Sequence, residues 1–130
     1  MRIEYTDSPD GITPRMLHGF FVGWRSPRTA EEHLEILAGS DHVLLAIDTE
    51  SRRVIGFATA LTDGVQAAFI PLLEVLPEYQ RDGIGTELMR RLLEKLRPIP
   101  CVDLTCDPQL QPFYARLEMT PSIGMIIRKP

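Results

Sequence analysis

Residues 72 to 96 constrain this chain most, because in LLEVLPEYQRDGIGTELMRRLLEKL an apolar run, a proline, two glycines and an amphipathic repeat follow one another without a break. Ile84, Leu88, Met89, Leu92, Leu93 and Leu96 recur at helical spacing, while Glu87, Arg90, Arg91, Glu94 and Lys95 occupy the other face. The apolar run before them reads as a strand that ends at Leu76, where Pro77 turns the chain. Gly83 and Gly85 then stand where the helix begins. Lacking Cβ atoms, they permit dihedrals closed to other residues and a close approach of backbone to ligand. The first N–H groups of a helix have no partners within it, and the dipole favours negative charge there. Gln80 to Thr86 is therefore predicted to bind an anion.

Two familiar phosphate loops are excluded. GxxxxGK is absent, and a dinucleotide fingerprint fails because Leu88 stands where its third glycine belongs, which leaves Asp103 a coincidental match for that motif's acidic residue.

Around this segment the chain reads as a single domain over 1–130. A short strand at Ile3 to Thr6 precedes a first helix, opened by Thr13 and Pro14 and carried by Leu17, Phe20, Phe21 and Trp24. Thr29 and Glu32 form a capping-box pattern ahead of a second helix that ends at Gly39. Strands are expected at VLLAID from Val43, at VIGFATAL from Val54 and at VQAAFIPLLEVL, the last two joined by a turn at Thr62-Asp63-Gly64. Pro71 cannot donate to a ladder, so the third of these must bulge, bend or lose a pairing there. After the amphipathic helix come a strand at CVDLTC, a short helix from Pro112 through Leu117 and a last strand at SIGMIIR. The order β-αα-βββ-α-β-α-β implies an α/β fold leaning to α+β: a mixed central sheet of six to seven strands with helices on both faces.

The formal net charge of -4, with dispersed basic residues, argues against nucleic-acid binding and mildly favours cationic substrates such as amines or basic peptides. No apolar run is long enough for a membrane span, the first residues lack a signal-peptide pattern, and a cytoplasmic location is the expectation. Cys101 and Cys106 have odd spacing in one expected strand, which points them to opposite faces and disfavours a disulfide. His18, His33 and His42 each stand apart from other ligand types, so no metal is predicted.

The stretch EVLPEYQRDGIGTELMRRLLEKL resembles the acetyl-CoA signature of the GCN5-related N-acetyltransferases, the GNAT superfamily, whose pattern Arg/Gln-x-x-Gly-x-Gly/Ala is filled by Gln80, Gly83 and Gly85. PFYARLEM, from Pro112 to Met119, is similar to that family's late helix motif, and the order of elements from Ile3 to Arg128 agrees with its fold. One departure is that Glu118 stands where members often carry glycine.

The resemblance implies acetyl-CoA as acyl donor, with pantetheine in a split between the fourth and fifth strands. It implies cofactor contacts from Val75, Leu76, Gln80, Arg81, Asp82, Gly83, Ile84, Gly85 and Thr86, the side chains of Arg81 and Thr86 adding donors. It places Tyr114 where the family commonly has a tyrosine near the CoA sulfur, as general acid. Glu74, on the strand beside the thioester, is the leading general base, with Asp103 or a water chain as alternatives. Phe20, Phe21 and Trp24 lie on a helix similar in position to those that wall the acceptor pocket.

The expected activity is transfer of acetyl to a primary amine by direct attack in a ternary complex, the acceptor being a small-molecule amine or a peptide N-terminus. A non-catalytic acyl-CoA-binding regulatory module shares the same cofactor loop and differs in releasing no thiol when amines are supplied. Edge pairing through SIGMIIRK could give a homodimer.

Overall fold

The computed structural model describes residues 2–129. Five strands form one mixed sheet in the order β1-β2-β3-β4-β5: β1 (Ile3–Thr6), β2 (His42–Asp48), β3 (Arg53–Thr62), β4 (Ala67–Val75) and β5 (Cys101–Asp103). Neighbours from β1 to β4 pair antiparallel, and β4 pairs parallel with β5. That change of sense requires a crossover, supplied by the amphipathic helix, here α2 (Ile84–Lys95). The other helices are α1 (Ala30–Gly39) and α3 (Gln111–Ala115).

The sheet buries both faces. Gly56 and Phe57 are consecutive on β3 and so point to opposite sides. A Cβ on Gly56 would meet Leu88 at 3.1 Å and Ile84 at 3.2 Å, which puts α2 on that face. Phe57 instead packs edge-on to Phe20 and against His33 of α1, with ring centroids 5.1 and 4.3 Å away. The stripe predicted on α2 is the one buried: Ile84, Leu88, Met89 and Leu92 are each no more than 1% exposed. At the start of α1, Glu32 N–H donates to Thr29 Oγ1 at 3.0 Å, and Thr29 N–H donates to Glu32 at 2.9 Å. This is the capping box that the spacing predicted.

Two expectations need correction. The first helix is only a 3-10 turn, Pro14–Leu17. His18 is already extended, and Gly19 (φ 94°), Phe21 (φ 65°) and Gly23 (φ 81°) hold left-handed dihedrals that end any helix. Leu17, Phe20 and Phe21 are buried all the same, so the apolar spacing reports a core loop. At the other end, SIGMIIR forms no strand: residues 121–129 are exposed and outside the sheet. CVDLTC is paired only over Cys101–Asp103, so the sheet has five strands where six to seven were expected.

Pro71 does what its chemistry demands. Thr59 faces Leu72 and Leu61 faces Phe69, so Ala60 alone stands opposite both Ile70 and Pro71, a bulge in β4. Pairing with β5 stops just before it, at Phe69 and Asp103. Beyond that point β4 continues to Val75 while its neighbour leaves the ladder, and the sheet splits.

Candidate functional site

The split between β4 and β5 is overlooked by the start of α2. Gly83, its N-cap, has φ 79° and ψ 7°, and no side chain caps it among the described residues. Arg81 is also left-handed, at φ 75°. Glu87 N–H donates to Gly83 O at 3.0 Å, and the N–H groups before it in the helix have no carbonyl one turn back to accept them. Gly83 has open space where a Cβ would be, so only its dihedral calls for glycine. Gly85 is different: a Cβ there would touch Phe113 and Val75 at 3.7 Å, so this position joins α2 to β4 and α3.

Gln80 ties the loop to the strand, its amide donating to the Val75 carbonyl at 2.9 Å. Leu76 is fully buried, and its N–H donates to Ile55 O at 2.9 Å. It supports the loop from the core side. Ile84 likewise buries its side chain, leaving its backbone N–H for the loop. Arg81, Asp82 and Thr86 stand around the glycines with Arg81 and Asp82 exposed.

Glu74 lines a cleft of about 370 Å³ with Val22, Trp24, Leu72, Pro77 and Gln80. Its two carboxylate oxygens both accept from Phe21 N–H at 2.9 Å, and one accepts from Val22 N–H at 3.2 Å. Trp24 is half-exposed at this cleft, whereas Phe20 and Phe21 are buried against His33. Of the three aromatics expected at an acceptor pocket, Trp24 alone faces the cleft of Glu74.

Tyr114 lies in a second cleft of about 470 Å³, with Phe69, Asp103, Leu104 and Cys106 among its walls. Burial, then the neighbouring Cys106 thiol, push its phenol above the ordinary 10, so it stays protonated at neutral pH. The two clefts share no lining residue, and β4 contributes Pro71 to Glu74 to one and Phe69 to the other. Tyr114 and Asp103 thus line one cleft, and Glu74 lines the other.

A clamp on the 18–22 loop escaped the sequence reading. Arg53 donates to the His18 carbonyl at 3.1 Å and pairs with Glu78 at 3.5 Å. Gly19 holds φ 94°, which calls for glycine, and a Cβ there would displace the end of the Arg53 side chain, 2.6 Å away. The glycine in HGFF was the available signal.

Residues 13–119 match the acetyltransferase (GNAT) family. The chain belongs to that family. A GNAT relative, GCN5-related N-acetyltransferase 1, chloroplastic, of Arabidopsis thaliana, is 32% identical over 111 residues, which is 83% of this chain and 56% of the relative. The GNAT chain thus spans just over half the length of the curated relatives it matches. Among solved structures, one described as an acetyltransferase of Deinococcus radiodurans R1 superposes with a TM-score of 0.94 at 42% identity, covering 98% of this chain and 88% of that one. AAC(6')-Iy, solved in complex with the bisubstrate analogue CoA-S-monomethyl-acetylneamine, shares the fold with a TM-score of 0.71 at 14% identity, over 100% of this chain and 99% of that one.

Proposed function

We propose that this GNAT chain is an acetyl-CoA-dependent N-acetyltransferase that acetylates a primary amine, on a small molecule or a peptide N-terminus, by direct attack in a ternary complex. One observation carries the reading: the uncapped N-terminus of α2, with Gly83 and Arg81 left-handed, opens at the end of a strand that has parted from its neighbour. That set of donors fits a pyrophosphate. Backbone N–H groups of residues 81–86 would hold it, with Arg81 and Thr86 side chains as additional donors. Acetyl-CoA supplies the acetyl thioester when bound. Past Phe69 the β5 side of β4 is unpaired among the described residues, and an extended pantetheine arm would lie along it.

The acceptor must reach the thioester as a neutral amine, and a lysine-like amine has a pKa near 10.4 in water. Its proton has to be taken up, and a departing thiolate needs one returned. Tyr114, protonated and half-buried, is the donor in this reading. Glu74 is committed to the amides of Phe21 and Val22, so it either accepts a proton through water or serves only to order the loop. Asp103, in the cleft of Tyr114, is the alternative base. The net charge of -4 favours a cationic acceptor. A homodimer assembled through residues 122–129 and a cytoplasmic setting complete the reading.

The engaged state of Glu74 also favours a second reading, an acyl-CoA-binding regulatory module with no turnover. Thermal shifts with acetyl-CoA, CoA, ATP and NAD, then thiol release over an amine panel, decide between them. Stabilisation by the CoA species with thiol release on some amine is expected. Stabilisation without release on any amine selects the module, and no shift with either CoA species sinks both.

A further inference from the structure

The cleft of Glu74 has two walls that no ladder holds apart. Val22 and Trp24 come from the 18–24 loop, and Pro77 and Gln80 from the 3-10 turn Pro77–Tyr79 and its end. Neither segment belongs to the sheet or to an α-helix, so side chains must fix their separation.

The turn is pinned to the end of the β2–β3 hairpin, where Asp48 and Arg53 stand opposite each other. The Tyr79 hydroxyl donates to the buried Asp48 carboxylate at 3.2 Å, and the neighbouring Glu78 pairs with Arg53 at 3.5 Å. The loop is pinned twice as well. Glu74 accepts the amides of Phe21 and Val22, and Arg53 uses its other terminal nitrogen, Nη2, on the His18 carbonyl at 3.1 Å. Gly19, lying between those two pins, leaves the space that this nitrogen fills. Arg53 Nε is buried without a hydrogen-bond partner among the described residues, a cost accepted while both terminal nitrogens serve the walls. Among the described residues Arg53 is the one side chain bonded to both walls.

We propose that Arg53 is a positioning residue for the acceptor amine, fixing the spacing of the two walls and with it the place of Trp24. The inference rests on the reading of the Glu74 cleft as the acceptor's. Arg53 does not line that cleft, so it acts through the His18 carbonyl and Glu78. A planar guanidinium can serve two partners in fixed directions, which the single ammonium of lysine does not reproduce. When Arg53 is lost, Tyr79 still holds the turn that leads to Gly83, so acetyl-CoA binding is spared.

Trp24 is the chain's single tryptophan, and its fluorescence reports the loop wall directly. Arg53→Met should make Trp24 more accessible to acrylamide quenching, with the acetyl-CoA Kd unchanged by calorimetry. On the amine that releases most thiol in the panel above, KM should rise about tenfold, as for loss of one charge-assisted hydrogen bond, and the effect should fall on KM rather than kcat. A partly unfolded variant would instead lose apparent kcat at constant KM, which separates positioning from stability. Arg53→Lys should give quenching and KM between those of the parent and Arg53→Met. Parent quenching and KM in Arg53→Met, or in Arg53→Lys should the first variant fail to fold, overturn the proposal. A weakened acetyl-CoA Kd overturns it too, because Arg53 would then serve the cofactor loop. If no amine releases thiol, the acetyl-transfer reading fails on its own, and the quenching still decides whether Arg53 holds the wall.

Discussion

Glu74, near the end of β4, accepts the N–H of Phe21 with both carboxylate oxygens at 2.9 Å, across 53 residues of sequence. The bond joins the strand that leads to the Gly83 turn to the loop that carries Trp24. It also sets the φ 65° turn at Phe21, which a helix in this region would not contain.

Because hydrogen bonds to a charged group contribute about 1.5–3 kcal/mol, Glu74→Ala should lower stability by about 2 kcal/mol in urea denaturation. The acceptor KM should rise more than the acetyl-CoA Kd, since the loop walls the cleft rather than the anion site. If Glu74→Ala keeps full stability and loses all turnover, the carboxylate acts as base and the clamp is incidental.

Gly83→Ala forces a Cβ into a left-handed dihedral, φ 79°, at a cost of about 1–2 kcal/mol. Space is free around it, so the fold should survive while the N–H groups shift. Acetyl-CoA should bind about tenfold more weakly by calorimetry, and equal affinity would remove this loop from the cofactor site.

Tyr114→Phe should leave acetyl-CoA affinity unchanged and reduce kcat by about 100-fold, the usual range for losing a general acid. Since burial raises its pKa, no alkaline loss of activity from this group is expected below pH 10. Turnover equal to the parent protein would exclude Tyr114 from the proton path.

His33 is fully buried among Phe20, Phe21 and Phe57, with neither ring nitrogen hydrogen-bonded among the described residues, and burial lowers its pKa from 6.5 to about 4. The unfolded chain takes up a proton below 6.5 and the folded chain only below about 4. Stability from this residue is therefore complete above pH 6.5 and falls between those values, by about 2 kcal/mol at pH 5. His33→Phe should flatten that loss in urea titrations at pH 7 and pH 5. An unchanged difference would assign the acid sensitivity to other groups.

Local chemistry made much of this fold legible. The α1 capping box, the α2 stripe, the Asp63 turn and the Pro71 bulge each follow from interactions within a few residues, so their spacing carries the information. Asp63 shows it plainly, one carboxylate oxygen accepting from the amides of Val65, Gln66 and Ala67. The Gly-x-Gly turn into α2 was readable for the same reason: it is contiguous backbone.

The first helix and the last strand were misread because their apolar spacing says only that residues are buried or seek burial. Phe20 and Phe21 found their partners on β3 and α1, whereas Ile123, Met125 and Ile127 stay exposed. By itself the sequence determined the elements closed by short-range bonds, and with them the glycine turn that opens α2. Only the tertiary structure decided that Glu74 is held by Phe21, that Tyr114 sits with Asp103 and Cys106, and that β5 is left an open edge. Those relationships depend on how distant segments meet, which no local spacing encodes.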